Sequence, residues 1–323
     1  MRDLAGRLAV VTGGGSGMGR ELVRQLVAEG CSVALCDVST TGMAETKRLC
    51  EQERLPQGLR ITTHVVDVAD ETQVKRFHDE VEKQYEMDRI HLLFNNAGIG
   101  GGSSMFVNDR AEWERTFNIC WFGVYYCTRA FLPMLQKADK GHIINTSSVN
   151  GFWAQIGAHL PQTAYSAAKF AVKGFSEALQ TDLRLNAPHI KCSVVMPGHI
   201  GTGIAANTAK VQSGNDSDVL TPGQLRIARA RIAASGVDTS KMSDADVEKI
   251  ARERIRRFVD EAPMTAAQAA TVILDGVKAD RWRILVGEDA RKIDERVRQT
   301  PEQAYDVDFF QKFAAEVGWK VAR

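Results

Sequence analysis

Short apolar runs alternate with longer helical segments along most of this 323-residue chain, and that rhythm limits the folds it can adopt. Nearly continuous apolar runs are typical of strands buried on both faces of a parallel sheet. Such runs occupy residues 8–12, 32–37, 61–66, 90–94, 142–146, 190–196 and 283–286, and helical patterns occupy residues 17–29, 41–53, 70–86, 111–136 and 164–186. This alternation predicts a doubly wound α/β fold with right-handed crossovers and a parallel seven-stranded sheet.

The rhythm is interrupted once, in the second half of the chain. Residues 203–262 show no strand pattern and contain two predicted helices, at 222–234 and 244–260. Long insertions between sheet elements often form lids over binding sites. We therefore expect a single domain spanning residues 1–323, with residues 203–262 as a helical substrate lid within it.

The charge and composition argue against several classes of function. Basic and acidic residues nearly balance, for a formal net charge of +1, so neither nucleic acid nor a membrane is an expected partner. Residues 1–6 lack a secretory signal pattern, which predicts a cytoplasmic protein with six reduced, buried cysteines. The seven histidines occur singly, without the spacing typical of metal ligands, so no metal site is expected.

A glycine-rich turn follows the first predicted strand and opens the first predicted helix. Its sequence is Thr12-Gly13-Gly14-Gly15-Ser16-Gly17-Met18-Gly19. Glycines allow backbone N–H groups to approach a pyrophosphate closely, and the N-terminus of a helix favours negative charge. The literal GxGxxG fingerprint is absent, and a tight structural connection is the alternative to a dinucleotide site.

An acidic residue, Asp37, ends the second predicted strand. A carboxylate about 20 positions after such glycines accepts hydrogen bonds from the adenosine ribose and repels a 2′-phosphate. Neither Ser16 nor Val38 supplies a cation that could bind that phosphate. The pattern therefore favours NAD over NADP as the cofactor.

Tyr165 and Lys169 lie four positions apart in a predicted helix and so share one of its faces. An ammonium group beside a phenol lowers the pKa of the phenol from about 10 towards neutrality. A tyrosine tuned in this way can exchange a proton with a reacting oxygen at physiological pH. The sequence therefore predicts a general acid/base at Tyr165.

The order of these motifs resembles that of the short-chain dehydrogenase/reductase family. Asn95-Asn96-Ala97-Gly98 follows the fourth predicted strand and Ser147-Ser148 the fifth, ahead of the tyrosine and lysine. The resemblance is close over residues 6–202 and implies a Rossmann-like, NAD-binding domain. It implies that Ser148 binds the substrate oxygen and that Asn118 positions a water in a proton relay.

The resemblance also assigns roles at the cofactor. Tyr165 would be the catalytic acid/base, and Lys169 would lower its pKa and hold the nicotinamide ribose. The cofactor-binding residues that it implies are Thr12, Gly13, Ser16, Gly17, Met18, Gly19, Asp37, Asp67, Val68, Asn95, Ala97, Gly98, Tyr165, Lys169, Pro197, Gly198, Ile200 and Thr202.

The activity implied is the NAD-dependent interconversion of a secondary alcohol and a ketone, by hydride transfer and a Tyr-Lys-Ser-Asn proton relay. Two alternatives stay open. One is an NADPH-dependent reductase of carbonyl or 3-oxoacyl groups on the same fold, against which Asp37 argues. The other is a catalytically silent nucleotide-binding module, against which the intact set of four catalytic residues argues.

Two further predictions concern surfaces outside these motifs. Ser148 lies 17 positions before Tyr165, and the loop between them carries the apolar residues Phe152, Trp153, Ile156 and Leu160. Together with the lid, these side chains predict a pocket for a hydrophobic alcohol or ketone. The broadly apolar helix around residues 113–135 predicts a homodimer or homotetramer, in which this helix and the one near Tyr165 pack against their mates.

Overall fold

The computed structural model describes residues 1–53, 57–155, 161–214, 220–306 and 308–319. The strands within these residues are β1 Leu8–Thr12, β2 Ser32–Asp37, β3 Ile61–Val65, β4 Leu92–Asn95, β5 Gly141–Thr146, β6 Ile190–Pro197, β7 Ile200–Gly201, β8 Met264–Thr265 and β9 Arg283–Val286. β7 pairs with β8, and the other described strands form a parallel seven-stranded sheet in the order β3-β2-β1-β4-β5-β6-β9. The predicted doubly wound α/β fold is confirmed.

Helices connect the strands and cover both faces of the sheet. They are α1 Gly17–Ala28, α2 Thr40–Gln52, α3 Glu71–Tyr85, α4 Arg110–Phe117, α5 Gly123–Gln136, α6 Thr163–Asn186, α7 Ile204–Ser213, α8 Pro222–Ala234, α9 Asp244–Asp260, α10 Ala266–Lys278, α11 Glu288–Gln299 and α12 Phe309–Val317. Thr221, Ser243 and Thr265 each form a capping box that satisfies the first backbone donors of α8, α9 and α10. These local signals fix where the helices of the second half begin.

The core lies in two layers, one on each side of the sheet. Alternate residues of β1 point to opposite layers, with Ala9 and Val11 in one and Leu8 and Val10 in the other. All four side chains are buried. Burial on both faces is the physical reason that this strand reads as an uninterrupted apolar run.

Two helical predictions were incomplete. Residues 111–136 form α4 and α5, joined by a π-helical turn at Asn118–Phe122, instead of one continuous helix. The insertion contains α7 in addition to the two predicted helices. No residue of α7 is fully buried, so its sequence lacks the strong apolar stripe by which a helix is recognised. Movement of residues 203–262 as a lid stays a prediction.

The prediction that Phe152 and Trp153 line the substrate pocket is wrong. Trp153 is fully buried and packs against three phenylalanines of α12, at positions 309, 310 and 313, and its Nε1–H donates to Ala304 O at 2.7 Å. Phe152 packs at the edge of the same cluster. The C-terminal helices thus take up the apolar surface of this loop. Ile156 and Leu160 lie outside the described residues.

All six cysteines are buried with free thiols, as the sequence predicts. Burial raises the pKa of Cys31, Cys127 and Cys192 to about 12, which keeps these thiols protonated and unreactive. Among the described residues, no helix combines the length and apolar character needed to cross a membrane.

Candidate active site

Two adjacent cavities lie at the carboxyl ends of the parallel strands, where ligands bind in open α/β sheets. We call the larger one, of about 630 Å³, the glycine-rich cleft, and the smaller one, of about 360 Å³, the tyrosine pocket. Ile204 of α7 lines both. The predicted site residues in the cleft are Gly13, Ser16, Gly17, Met18, Gly19, Asp37, Asp67, Val68, Ala97, Gly98 and Thr202, and those in the pocket are Ser148, Tyr165 and Gly198.

The turn between β1 and α1 forms one wall of the glycine-rich cleft. Gly13 and Gly17 have φ angles of +67° and +53°, in the left-handed region that favours glycine. A Cβ atom at Gly13 would lie only 2.8 Å from Ala97 Cα, in the loop after β4. The turn therefore presents backbone to the cleft at the N-terminus of α1, which suits the approach of a phosphate group.

We expect Gly19→Ala to lower the free energy of unfolding by about 1–3 kcal/mol, because overpacking forces the turn to shift. A Cβ atom there would overlap the Gly13 carbonyl and lie 2.6 Å from Asn96 Nδ2. Gly174→Ala, on the exposed side of α6 with no atom within 4 Å of its Cβ, should instead be neutral or stabilise by up to about 1 kcal/mol. Urea denaturation measures the free energy of unfolding of each variant. Equal values for Gly19→Ala and Gly174→Ala would contradict the tight packing of the turn.

The Asp37 carboxylate lines the cleft and is held by backbone donors. Its Oδ2 accepts from Gly15 N at 2.9 Å and its Oδ1 from Ser39 N at 2.9 Å. Arg20 braces the same turn from the other side, since its Nη2 donates to Gly15 O at 2.6 Å. A carboxylate oxygen accepts more than one hydrogen bond, so Asp37 is oriented yet retains capacity for ligand hydroxyls.

Five predicted cofactor residues are absent from the described residues that line either cavity, namely Thr12, Asn95, Lys169, Pro197 and Ile200. Thr12 Oγ1 accepts from the backbone N–H groups of residues 96 and 97, each at 3.0 Å. Asn95 Nδ2 donates to Asn145 Oδ1 at 2.8 Å in the neighbouring strand. All five are buried, and their direct contact with the cofactor stays a prediction.

Sequence reasoning missed two parts of the cleft, Arg115 and α7. Arg115 Nη1 forms an ion pair with Asp67 Oδ2 at 2.6 Å. Asn207 of α7 donates from Nδ2 to Ser16 Oγ at 2.9 Å, which ties this helix to the glycine-rich turn. Both contacts join segments far apart in sequence, and neither residue belongs to a motif that could have signalled them.

The fold brings Ser148, Tyr165 and Lys169 together. Tyr165 lies in the first turn of α6 and lines the tyrosine pocket together with Ser148, which follows β5. Lys169 is buried one turn later, with Nζ 5.4 Å from the centre of the Tyr165 ring. Nζ donates to Thr146 O at 2.9 Å, at the end of β5. Serine and phenol reach the tyrosine pocket, and the ammonium lies behind them.

Asn118 begins the π-helical turn and is half-buried. Its carbonyl accepts the N–H of Gly123, the five-residue step that defines such a turn. It is absent from the described residues that line the two cavities, so its place in a proton relay stays a prediction. Turns of this kind are often found at functional sites.

The sequence predicts a lowered pKa at Tyr165, and the structure shows the opposite. Burial raises the pKa of the phenol, and the nearby Ser148 side chain only partly offsets this effect. Burial also lowers the pKa of Lys169. Tyr165 is therefore protonated at physiological pH.

His199 connects the pocket to the C-terminal helices. Its backbone N–H donates to Asp289 Oδ2 at 2.7 Å, and its ring Nε2–H donates to Phe258 O at 2.7 Å. Burial lowers the pKa of the His199 ring, so the ring is neutral at physiological pH. Trp319 Nε1 also donates to Asp289 Oδ2, at 3.1 Å, and its ring lines the pocket. One buried carboxylate thus joins the segment after β6 to the end of the described chain.

Comparison with known proteins identifies the family. The model for short chain dehydrogenases matches residues 7–213. SadH of Mycobacterium tuberculosis, an oxidoreductase by name, is 32% identical over 91% of each chain, and levodione reductase of Leifsonia aquatica is 33% identical over 63% of this chain and 73% of its own. The crystal structure of a short-chain dehydrogenase/reductase from Burkholderia phymatum in complex with NAD is 26% identical, with a TM-score of 0.73, and covers 94% of this chain and 95% of that one. The chain therefore belongs to the short-chain dehydrogenase/reductase family of oxidoreductases.

Proposed function

We propose that this protein uses NAD to interconvert a hydrophobic secondary alcohol and the corresponding ketone. The observation that carries the proposal is that Ser148 and Tyr165 line one pocket, which shares a wall with the glycine-rich cleft. Apolar side chains of the insertion, at Ile204, Ile227 and Ile255, line the pocket and suit an apolar substrate.

The chemistry of the cleft fits a dinucleotide. Gly13 and Gly17 line the cleft with bare backbone at the N-terminus of α1, where a pyrophosphate would bind, and Asp37 offers carboxylate oxygens to a ribose. Thr202 and Gly98 line the same cleft, and the nicotinamide ring would lie beside them. The NAD complex of the Burkholderia phymatum relative supports the same cofactor for this chain.

The chain's own residues handle the proton and the substrate oxygen. When bound, nicotinamide supplies a site that gives or accepts a hydride. The protonated Tyr165 donates to the oxygen of a ketone as it becomes an alcohol, while the Ser148 hydroxyl holds that oxygen. Lys169 is near enough for its positive charge to stabilise the phenolate left behind.

A screen of ketones and secondary alcohols, followed through the absorbance of the reduced nicotinamide, tests the activity. We expect turnover of apolar cyclic or long-chain compounds and faster reaction of these than of sugar alcohols, whose hydroxyls would be left unpaired against apolar walls. Faster turnover of a sugar alcohol would contradict the hydrophobic pocket. Binding of NAD without turnover of any compound would favour the silent nucleotide-binding module.

We expect Asp37→Ala to weaken NADH binding by about 10-fold to 100-fold, because hydrogen bonds from ribose hydroxyls to a carboxylate are lost. NADPH binding should change less or improve, since the repulsion of the 2′-phosphate disappears. Fluorescence titration of both nucleotides measures the ratio, and Asp79→Ala, at an exposed carboxylate, is the control. An unchanged ratio, or tighter binding of NADPH by the unmodified protein, would favour the NADPH-dependent alternative.

Assembly into a homodimer or homotetramer stays a prediction. Ring contacts link Trp121, Tyr125 and Phe175 across the surface that α5 and α6 form. Tyr125 and Phe170 are exposed on these helices. An exposed aromatic surface of this kind is typical of subunit interfaces.

A further inference from the structure

The walls of the tyrosine pocket are mainly apolar, yet two oppositely charged side chains lie among its described lining residues. They are Glu112 of α4 and Arg231 of α8. A charge in apolar surroundings is costly unless hydrogen bonds or an opposite charge compensate it. The partners of these two groups therefore indicate what the pocket is built to hold.

Glu112 is already engaged within the protein. Its Oε2 accepts from Asn108 Nδ2 at 2.7 Å. Its charge acts on Arg231 and partly offsets the effect of burial, which lowers the pKa of the guanidinium. Within the described part of the chain, no ion pair joins the two side chains.

Arg231 has donors to spare. A guanidinium carries five N–H groups, and among the described residues Arg231 uses one hydrogen bond, from Nη2 to Ser103 Oγ at 2.9 Å. Arg229, on the same helix, instead donates to two backbone carbonyls and to Asp244. Arg231 is half-buried, lines the pocket and stays protonated, so its remaining donors can meet a ligand there.

The guanidinium is held close to the catalytic tyrosine. Its partner Ser103 accepts from Thr163 N at 3.1 Å through the backbone carbonyl, and Gly102 O accepts from Ala164 N at 3.2 Å. Residues 163 and 164 immediately precede Tyr165 in the first turn of α6. A ligand that reaches Tyr165 through this pocket therefore passes beside Arg231.

We propose that Arg231 binds a carboxylate of the substrate, so that the preferred compounds are apolar hydroxy acids or oxo acids. This inference rests on the proposed function and deepens it. A guanidinium binds a carboxylate through two parallel hydrogen bonds, which adds both affinity and orientation. Glu112 lines the same pocket, so a doubly charged phosphate would be repelled more strongly there than a singly charged carboxylate.

Binding of a non-reacting pair of ligands tests the site without catalysis. Octanoate and octanamide share their apolar chain and differ in charge. Calorimetry should show the carboxylate binding about 10-fold to 100-fold more tightly than the amide. Octyl phosphate is the third ligand, and tighter binding of this dianion than of octanoate would overturn the choice of a carboxylate.

Four variants separate recognition from structure. Arg231→Leu should abolish the preference for octanoate over octanamide and leave the affinity for octanamide unchanged within about twofold. Arg231→Lys should restore part of the preference for octanoate. Ser103→Ala breaks the contact between α8 and the loop after β4 but should keep the preference. Arg226→Leu alters the same helix at an exposed guanidinium near Asp109. This variant should change neither the affinity for octanoate nor the affinity for octanamide. Equal losses for both ligands in Arg231→Leu and Ser103→Ala would show that Arg231 only secures the helix.

Turnover distinguishes failure of this inference from failure of the proposed function. An apolar hydroxy acid and its methyl ester are compared as substrates with NAD. A kcat/KM ratio of about 10 or more in favour of the acid, lost in Arg231→Leu, supports the inference. Equal rates for acid and ester, unaffected by the variant, overturn it and leave the proposed function intact. If octanoate binds through Arg231 but no alcohol reacts, the site stands and the proposed function fails.

Discussion

Tyr165→Phe is expected to reduce kcat by about 100-fold to 10,000-fold, the usual contribution of a positioned acid/base. Phenylalanine keeps the ring that packs near Lys169, so the fold and dinucleotide binding should be retained. What is lost is the hydroxyl in the tyrosine pocket, the group that we propose exchanges the proton. Steady-state kinetics on a substrate from the screen, with a parallel NADH titration, measures both quantities.

The same chemical change at Tyr125 is the matched control for this variant. That ring is 36% exposed, on the surface of α5. Tyr125→Phe should leave kcat unchanged within about twofold. If Tyr165→Phe behaved like Tyr125→Phe, the tyrosine would not be the proton donor, and the catalytic role assigned to it would be wrong.

Trp153→Ala is expected to lower the free energy of unfolding by about 3–5 kcal/mol, as for large side chains removed from a packed core. The indole is fully buried in the cluster with α12, and its N–H donates to Ala304 O. The variant removes that hydrogen bond as well as the aromatic contacts. Urea denaturation, with the midpoint and the slope compared, measures the loss.

Trp282→Ala provides the reference, because that indole is 45% exposed. Trp282→Ala should change the free energy of unfolding by no more than about 0.5 kcal/mol, as is usual for surface positions. A Trp153→Ala protein as stable as Trp282→Ala, but with weaker substrate binding, would restore the original prediction that Trp153 lines the pocket.

The fold was predictable because its signals are local. Burial of β1 on both faces produces an unbroken apolar run, and the capping boxes at Thr221, Ser243 and Thr265 are contained in four residues each. Trp153 shows the limit of this reasoning. An apolar pattern indicates that a side chain is buried, but whether it faces a ligand or α12 depends on a segment about 150 positions away.

In the candidate site, too, some features could be predicted from the sequence and others only from the folded chain. Tyr165, Lys169 and the glycine-rich turn carry their chemistry in a short motif, whereas Arg231 resembles the other arginines of α8 in sequence. Its contact with Ser103 spans 128 positions, and only the folded chain reveals it. The pKa of Tyr165 was mispredicted for a similar reason, because the burial of the phenol is a property of the packed structure.

The Asp289 carboxylate holds Trp319, near the end of the described chain, against the tyrosine pocket. During synthesis, the residues of the two cavities are therefore completed at different times. The described residues that line the glycine-rich cleft all lie at or before Gly214, whereas the tyrosine pocket requires Trp319, held by Asp289 together with His199. At about 5–20 residues per second, a ribosome needs roughly 5 to 20 seconds to add the residues between Gly214 and Trp319. During that interval every residue of the cleft wall has been synthesised, while the wall of the pocket is still incomplete.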